Sequence, residues 1–286
     1  MQDEWSDAVD TRSDAADTRS DAADTWSDAV DIRAQAAGRL AEAARSGKPC
    51  PPVRDLIGTV GDAFAVQEIG TRRALGEGRR LVGRKAGLTN ALVRERFGAR
   101  ECSHGALFAD MALPEGVPVP VGRFLQPMAE AEVALVLGRD LVGGPFTVAE
   151  VIRAVDFALP AIEIADSRVA GWDITPVDTI ADNASGGAFV LGGAPVPLAG
   201  LDLRTAAMTM TRAGTQVSAG SGADCLGHPL NAATWVAGAL GRTDRPLRAG
   251  DVVLTGALGQ MVPVAPGDVF EAWIEDLGSV CAVFAA

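Results

Sequence analysis

The chain has 286 residues, of which 48% are hydrophobic and 5% aromatic, and a formal net charge of −12. That length suffices for one large domain with a helical appendage. The acidic balance argues against nucleic-acid binding, the lack of any apolar run of about 18 residues argues against a membrane span, and the absence of tyrosine removes a tyrosine general acid.

Residues 1–32 hold ten acids and two arginines, so −8 of the charge lies there and −4 on the rest. Trp5-Ser6-Asp7-Ala8-Val9-Asp10-Thr11 recurs from Arg12, Arg19 and Trp26. The seven-residue period invites a coiled coil, but each unit offers only two adjacent small apolar residues. Its aspartates would form one self-repelling stripe on a helix. The expectation for residues 1–32 is a mostly disordered acidic tail. Such a tail does not fit a secretory signal or transit peptide. An N-terminal helical segment is expected over 33–79, with a first helix from about Ile32 to Arg45 that stacks Ala34, Ala37, Leu40 and Ala44. Lys48-Pro49-Cys50-Pro51-Pro52 ends it, and a second helix runs from Val60 to Leu75.

From residue 80 the pattern changes to short strands between glycine and proline turns, predicted over 80–86, 130–137, 156–165, 187–192, 206–212, 251–255, 268–275 and 279–285. Arg212-Ala213-Gly214-Thr215 reads as a hairpin turn. Thr147-Val148-Ala149-Glu150 is a capping box that opens a helix to Ala154. A further helix spans Pro229 to Leu240, with Leu230, Trp235 and Leu240 expected to face inward. Helices followed by many strands give an α+β fold, with residues 80–286 as the strand-rich domain. Cys50, Cys102, Cys225 and Cys281 lie far apart without CxxC spacing, which fits a reduced cytoplasmic protein.

The chemistry is concentrated in Glu130-Ala131-Glu132 and in Ala161-Ile162-Glu163-Ile164-Ala165-Asp166. Residues i and i+2 of a strand share a face, about 7 Å apart. Carboxylates inside apolar strands are costly to bury unpaired, and a hard divalent cation removes that cost. The plain alternative is two edge-strand glutamates in water and a third paired with an arginine. With only two histidines in the chain and no thiolate cluster, Mg2+ or Mn2+ suits the three carboxylates better than zinc. Lys85, flanked by Gly83 and Gly87 on a predicted strand, is expected to have a lowered pKa and to shuttle protons, or else to pair with one of the carboxylates. Arg84 and His228 read as structural.

Gly83-Arg84-Lys85-Ala86-Gly87-Leu88-Thr89 resembles a segment of the 2-oxopent-4-enoate (2-hydroxypenta-2,4-dienoate) hydratases of the fumarylacetoacetate hydrolase superfamily. The resemblance continues through Leu107–Met111, Gln126-Pro127, Glu163–Arg168, Val177–Ser185, Cys225–Ala233 and Leu254–Gly259, and covers residues 36 to 286. It implies a rolled mixed β-sandwich and metal-dependent hydration of a 2-hydroxy-2,4-dienoate to a 4-hydroxy-2-oxo acid in meta-cleavage degradation of aromatic compounds. The implied metal ligands are Glu130, Glu132 and Glu163, with Lys85 and Asp166 catalytic and Leu88, Asp182, Asn183, Thr255 and Gly256 binding substrate. Thr255 and Gly256 would offer a hydroxyl and an N–H to the substrate carboxylate.

Related hydratases carry an aspartate where this chain has Ser103 in Cys102-Ser103-His104-Gly105. Serine cannot act as a carboxylate base, so adjacent His104 is the candidate substitute, although strand neighbours point oppositely. The resemblance also implies a homo-oligomer, with an aldolase or decarboxylase as a possible partner. Two alternatives stand beside hydration: a decarboxylase acting on 4-oxalocrotonate, and a weakly active partner subunit marked by Ser103.

Overall fold

The computed structural model describes residues 32–286. The acidic repeat, and with it the expected disorder, lies outside the described residues, apart from Ile32, which is already helical. Helix α1 covers residues 32–46 and α2 is Val60–Gly76, capped by Thr59 Oγ1 accepting from Asp62 N at 3.0 Å. Ala36, Ala37, Leu40 and Ala43 of α1 join Ala63 and Val66 of α2 in an apolar cluster with Val169, Ile180 and Ala181. The helical segment is thereby fastened to the stretch that follows the Glu163 strand.

Among the described residues the strands form two sheets. The larger has the order β2 (Ser103–Phe108), β1 (Leu81–Gly87), β9 (Val252–Ala257), β4 (Pro127–Leu137), β5 (Val155–Asp166), β6 (Gly186–Leu191) and β3 (Ala112–Leu113), with β10 (Val262–Pro263) added to β4. The smaller runs β12 (Gly278–Val283), β11 (Val269–Ile274), β7 (Ala207–Arg212) and β8 (Thr215–Ser221). The β1–β9 and β3–β6 pairs are parallel and the others antiparallel, so the fold is a mixed α+β roll. Short helices α3 (Ala91–Phe97), α4 (Val148–Ala154) and α5 (Pro176–Ala181), with the longer α6 (Pro229–Leu240), complete it.

The period of two along β4 decides what each sheet face does. Ala129, Ala131, Val133 and Leu135 enter the main core with Ile162 and Ile164 of β5, Met208 and Met210 of β7, Phe270 of β11 and Val236 of α6. Each large side chain buried there stabilises the fold by about 1.5–3 kcal/mol. Glu130 and Glu132 alternate with these and so face the other way. That face continues into a second cluster of Ala134, Leu159, Ala161, Phe189 and Leu254. The carboxylates therefore sit at the end of an apolar face, not at a sheet edge in water.

All eight predicted strands and the capping-box helix are present, the latter with Thr147 Oγ1 accepting from Glu150 N. Three residues expected to face inward are corrected. Ala34 and Ala44 of α1 are exposed, and Ala36 and Ala43 join Ala37 and Leu40 instead. Leu230 and Leu240 of α6 are buried, but Trp235 is only half-buried. Its ring lines a cavity, and Ala233, Val236 and Ala237 fill the core instead.

Candidate active site

Two strands deliver the carboxylates to one place. In the β4–β5 register Glu130 is directly opposite Glu163, and Glu132 is opposite Ala161. Opposed residues share a face, so all three glutamates stand together. β1 brings Lys85 alongside, paired with Gly105 of β2 and Leu254 of β9. Lys85 Nζ lies 2.8 Å from Glu163 Oε1 as a charge contact, and donates its hydrogen bond to Ala184 O at 3.0 Å. Glu132 Oε2 accepts from Gly256 N at 2.8 Å. Gly256 has φ +107°, and a Cβ there would come 2.1 Å from Thr89 Oγ1, so glycine is what lets this amide reach the carboxylate.

The cluster is electrostatically unbalanced. Glu132 and Glu163 are buried and Glu130 is half-buried, against one buried ammonium. Neither oxygen of Glu163 has an aligned hydrogen-bond partner. Burial, then the charge of Glu163, pushes the Glu130 carboxyl up to about 7 although Lys85 pulls it down. The same two influences hold Glu132 well above the ordinary range. For Lys85, burial is the largest single influence and favours the neutral amine. Glu163, Glu130 and Glu132 together outweigh it and hold the pKa above its ordinary value. This reverses the sequence expectation of a lowered lysine, and the expected pairing with a carboxylate is the one formed.

The backbone beside Lys85 is held in unusual conformations. Leu88 has φ +56°, and Asn183, Ala184 and Ser185 follow one another at +53°, +50° and +54°. Such residues cost on the order of 1–3 kcal/mol each unless their surroundings fix them. Here the surroundings do. Asn183 Oδ1 accepts from Ala106 N at 2.7 Å and its Nδ2 donates to Ala106 O at 2.9 Å. The Ser185 and Thr179 hydroxyls are 3.0 Å apart. Arg94 Nη1 donates to Leu88 O and Thr89 O at 2.7 and 2.8 Å. The outcome is a carbonyl, Ala184 O, aimed at the lysine.

The other sequence candidates separate into two groups. Ser103 is paired with Gly87 and shares the Lys85 face, with its buried Oγ unpartnered. His104 is opposite Ala86, hence on the reverse face of the sheet. It stacks on Phe64 with ring centroids 4.9 Å apart. The expectation of His104 as substitute base is therefore corrected. The carboxylate of Asp166 accepts from Leu125 N at 3.0 Å and Gln126 N at 2.7 Å, so it anchors the entry to β4. Arg168 pairs with the Asp182 carboxylate and donates to the main-chain oxygen of Asp166 at 2.8 Å. Burial raises Asp182 to about 6 against the pull of Arg168. The Asn183 amide is spent on Ala106, the Thr255 hydroxyl donates to Val133 O at 2.9 Å, and the Gly256 amide serves Glu132. His228 caps α6 as expected, Nδ1 accepting from Leu230 N at 3.0 Å.

Sequence reasoning missed three contributors: Ala184 O, the Gly256 amide as a partner of Glu132, and Cys225, whose buried Sγ donates to Thr255 O at 2.8 Å behind that amide. Main-chain groups carry no residue-type signal; the positive-φ glycine after Thr255 was the available hint. Among the described residues no three acidic, histidine or cysteine side chains already converge as a ligand set. Lys85 contacts Glu163, and the Gly256 amide donates to Glu132. The residues nonetheless fit a divalent cation. All the donors are hard oxygens, one carboxylate is buried without a hydrogen bond, and one ammonium leaves an excess of negative charge.

The sequence and fold match known proteins across most of the chain. Residues 97–285 match the family described as fumarylacetoacetate (FAA) hydrolase C-terminal. The TodF product hydratase of Pseudomonas putida is 56% identical over 251 residues, 87% of this chain and 94% of that protein. The 2-keto-4-pentenoate hydratase 2 of Dechloromonas aromatica is 54% identical over 251 residues, 87% of this chain and 96% of that protein. The solved 4-oxalocrotonate decarboxylase from Pseudomonas putida G7, complexed with magnesium and adipate, superposes with a TM-score of 0.84 at 33% identity, covering 89% of this chain and 97% of that one. The chain belongs to the fumarylacetoacetate hydrolase superfamily and, within it, to the family of the 2-keto-4-pentenoate hydratases.

Proposed function

We infer that the protein is a hydro-lyase that adds water to 2-hydroxypenta-2,4-dienoate, the enol of 2-keto-4-pentenoate, to give 4-hydroxy-2-oxopentanoate in aromatic catabolism. The observation that carries this reading is the buried Glu130–Glu132–Glu163 cluster, with one lysine for three carboxylates. A 2-oxo acid is itself an anion. A site with excess negative charge would repel it unless a dication stood between them. Glu130, Glu132 and Glu163 are the residues to hold that ion, Mg2+ or Mn2+, which when bound acts as a Lewis acid toward the carboxylate and keto oxygens of the substrate.

Hydration requires a proton to leave the 2-hydroxyl and one to arrive at C5, which makes C4 electrophilic. Water then bonds to C4 and loses a proton, and C3 gains one. Lys85 Nζ is the group for moving these protons. Its pKa is held up by the carboxylates and down by burial, so neutralising the carboxylates brings it toward the working range. Ser103 Oγ, unpartnered on the same face, is available to the substrate or to the attacking water. Ala184 O fixes the direction of the lysine. A cytoplasmic homo-oligomer is part of the same reading, and it agrees with four free thiols.

A second reading rests on the 4-oxalocrotonate decarboxylase likeness. Decarboxylation uses the same enolate chemistry but needs a second carboxylate on the substrate. The two are separated by offering each substrate to the Mg2+-loaded protein and following carbon dioxide and 4-hydroxy-2-oxopentanoate. Hydration without carbon dioxide release supports the first reading. Carbon dioxide from 4-oxalocrotonate, with no loss of the pentadienoate, overturns it.

A further inference from the structure

On the reverse face of β1 and β2, directly behind Lys85 and Ser103, lies a cavity of about 520 Å³. Its walls include Phe64, Trp235, Ala239 and Leu240. His104 stands between the two aromatic rings, 4.9 Å from Phe64 at an interplanar angle of 28° and 6.1 Å from Trp235 at 47°. Its Nδ1 is buried and has no hydrogen-bond partner.

The floor carries a buried charge, that of Arg84, on which Asp251 and Glu68 act only at a distance, with no direct ion pair among the described residues. Arg84 is 5% exposed, and its guanidinium donates only to backbone carbonyls, Gly83 O at 3.1 Å and Arg245 O at 3.3 Å. A buried cation without a carboxylate partner is costly. Glu68, at the cavity wall, is not that partner. It is claimed by Arg72 at 2.6 Å and by Arg245. The remaining acids of the lining, Glu101 and Asp244, are exposed to water.

We propose that this cavity is a second binding site, distinct from the glutamate cluster, for a planar aromatic monocarboxylate. The guanidinium fork of Arg84 matches a carboxylate in two-pronged geometry. A buried guanidinium with no direct ion pair among the described residues suits one carboxylate. The Phe64–His104 pair and the tilted Trp235 ring offer faces and an edge to a flat ring, and His104 Nδ1 offers one further polar contact. Aromatic faces beside converging polar groups are a common form of small-molecule site. Arg84 and His104 are the chain neighbours of Lys85 and Ser103, so an occupant would bear on the strands that carry the catalytic face.

Titration calorimetry of the full-length, Mg2+-loaded protein with benzoate tests this. The expected result is saturable binding with Kd below about 1 mM, unchanged in Glu132→Gln. It should weaken at least ~10-fold in Arg84→Met and in Trp235→Leu. Trp235 is half-buried at the margin of the core, so its variant serves if Arg84→Met does not fold. Cyclohexanecarboxylate, which is not flat, should bind more weakly than benzoate. No saturable binding in the wild type, full affinity in Trp235→Leu, or loss confined to Glu132→Gln would each overturn the proposal, the last by assigning benzoate to the glutamate cluster.

Discussion

Asp178 and Asp182 are 0% and 2% exposed, as deeply buried as Glu132 and Glu163 at 1% each, yet the two pairs are treated oppositely by the fold. Asp178 accepts from Val53 N, Arg54 N, Arg54 Nη1, Thr175 N and Thr175 Oγ1, all between 2.8 and 2.9 Å. Burial alone would raise its pKa, but these bonds together hold it below the ordinary value. Asp182 is held by the side chain and N–H of Arg168. The glutamates have one lysine and one amide among three carboxylates. Where the oxygens are answered, the acid ties chain segments together, as Asp178 ties the α1–α2 connection to α5. Where oxygens are left over, the fold has been kept unbalanced, which makes sense if something absent from the chain completes it.

The contrast breaks most visibly under substitution. Glu163→Gln should lower Mn2+ affinity by more than about 100-fold, beyond what loss of an outer-shell partner costs, and abolish turnover while the melting curve stays cooperative. Asp178→Asn should do the reverse. It should cost about 3 kcal/mol, the lower end for a broken buried pair because the Arg54 side chain is one-third exposed, with turnover per folded molecule preserved. Equal effects of both on metal affinity, read by calorimetry, would erase the distinction. Next in size, Lys85→Met should reduce kcat by roughly 10²-fold or more with little change in oxalate affinity. A kcat within a few-fold of wild type would remove Lys85 from the proton path.

How much of this was legible in the sequence depends on what each residue touches. The glutamates stood out because charge interrupts an apolar period of two, and β4, β5 and β9 followed from the same pattern. β2 was missed because Ser103-His104-Gly105 breaks that pattern, being filled by a site residue, a cavity residue and a close-approach glycine. A Cβ at Gly105 would lie 2.4 Å from Asn183 O. α3 was missed because it buries nothing and so has no apolar stripe. Asp166, Asp182 and Asn183 each hold a loop or strand in the fold, a role that the sequence reading did not assign to them. A polar residue near a site can serve the substrate or hold the loop, and only the hydrogen-bond partners distinguish the two.

The pH dependence of stability sharpens the same comparison. Glu130 is raised from 4.5 to about 7 in the fold, so its contribution is complete below 4.5 and is lost as pH rises through about 7. Metal-free protein should melt at a higher temperature at pH 5.5 than at pH 8, and Mn2+ should close the gap by binding the ionised carboxylates. Asp178 runs the other way: its contribution is present above the ordinary aspartate value and lost as pH falls through its lowered pKa. A metal-free melting temperature that rises from pH 5.5 to 8 would contradict the reading of Glu130. The smallest effect is expected for Ser103→Ala. It removes an unpartnered hydroxyl and should change stability by less than about 1 kcal/mol, whereas Asn183→Ala, which strips Ala106 of its partners, should cost about 1–3 kcal/mol. Equal melting shifts for the two would contradict the hydrogen-bond assignment.

The central claim is that the unanswered carboxylates form a divalent-metal site that drives hydration. The direct test follows the ultraviolet absorbance of 2-hydroxypenta-2,4-dienoate with protein stripped by EDTA and then resupplied with Mg2+ or Mn2+. The account predicts no catalysed loss in the stripped protein, recovery on adding either ion with 4-hydroxy-2-oxopentanoate as product, and no recovery in Glu163→Gln. Undiminished turnover by the stripped protein, or full recovery in Glu163→Gln, would contradict it.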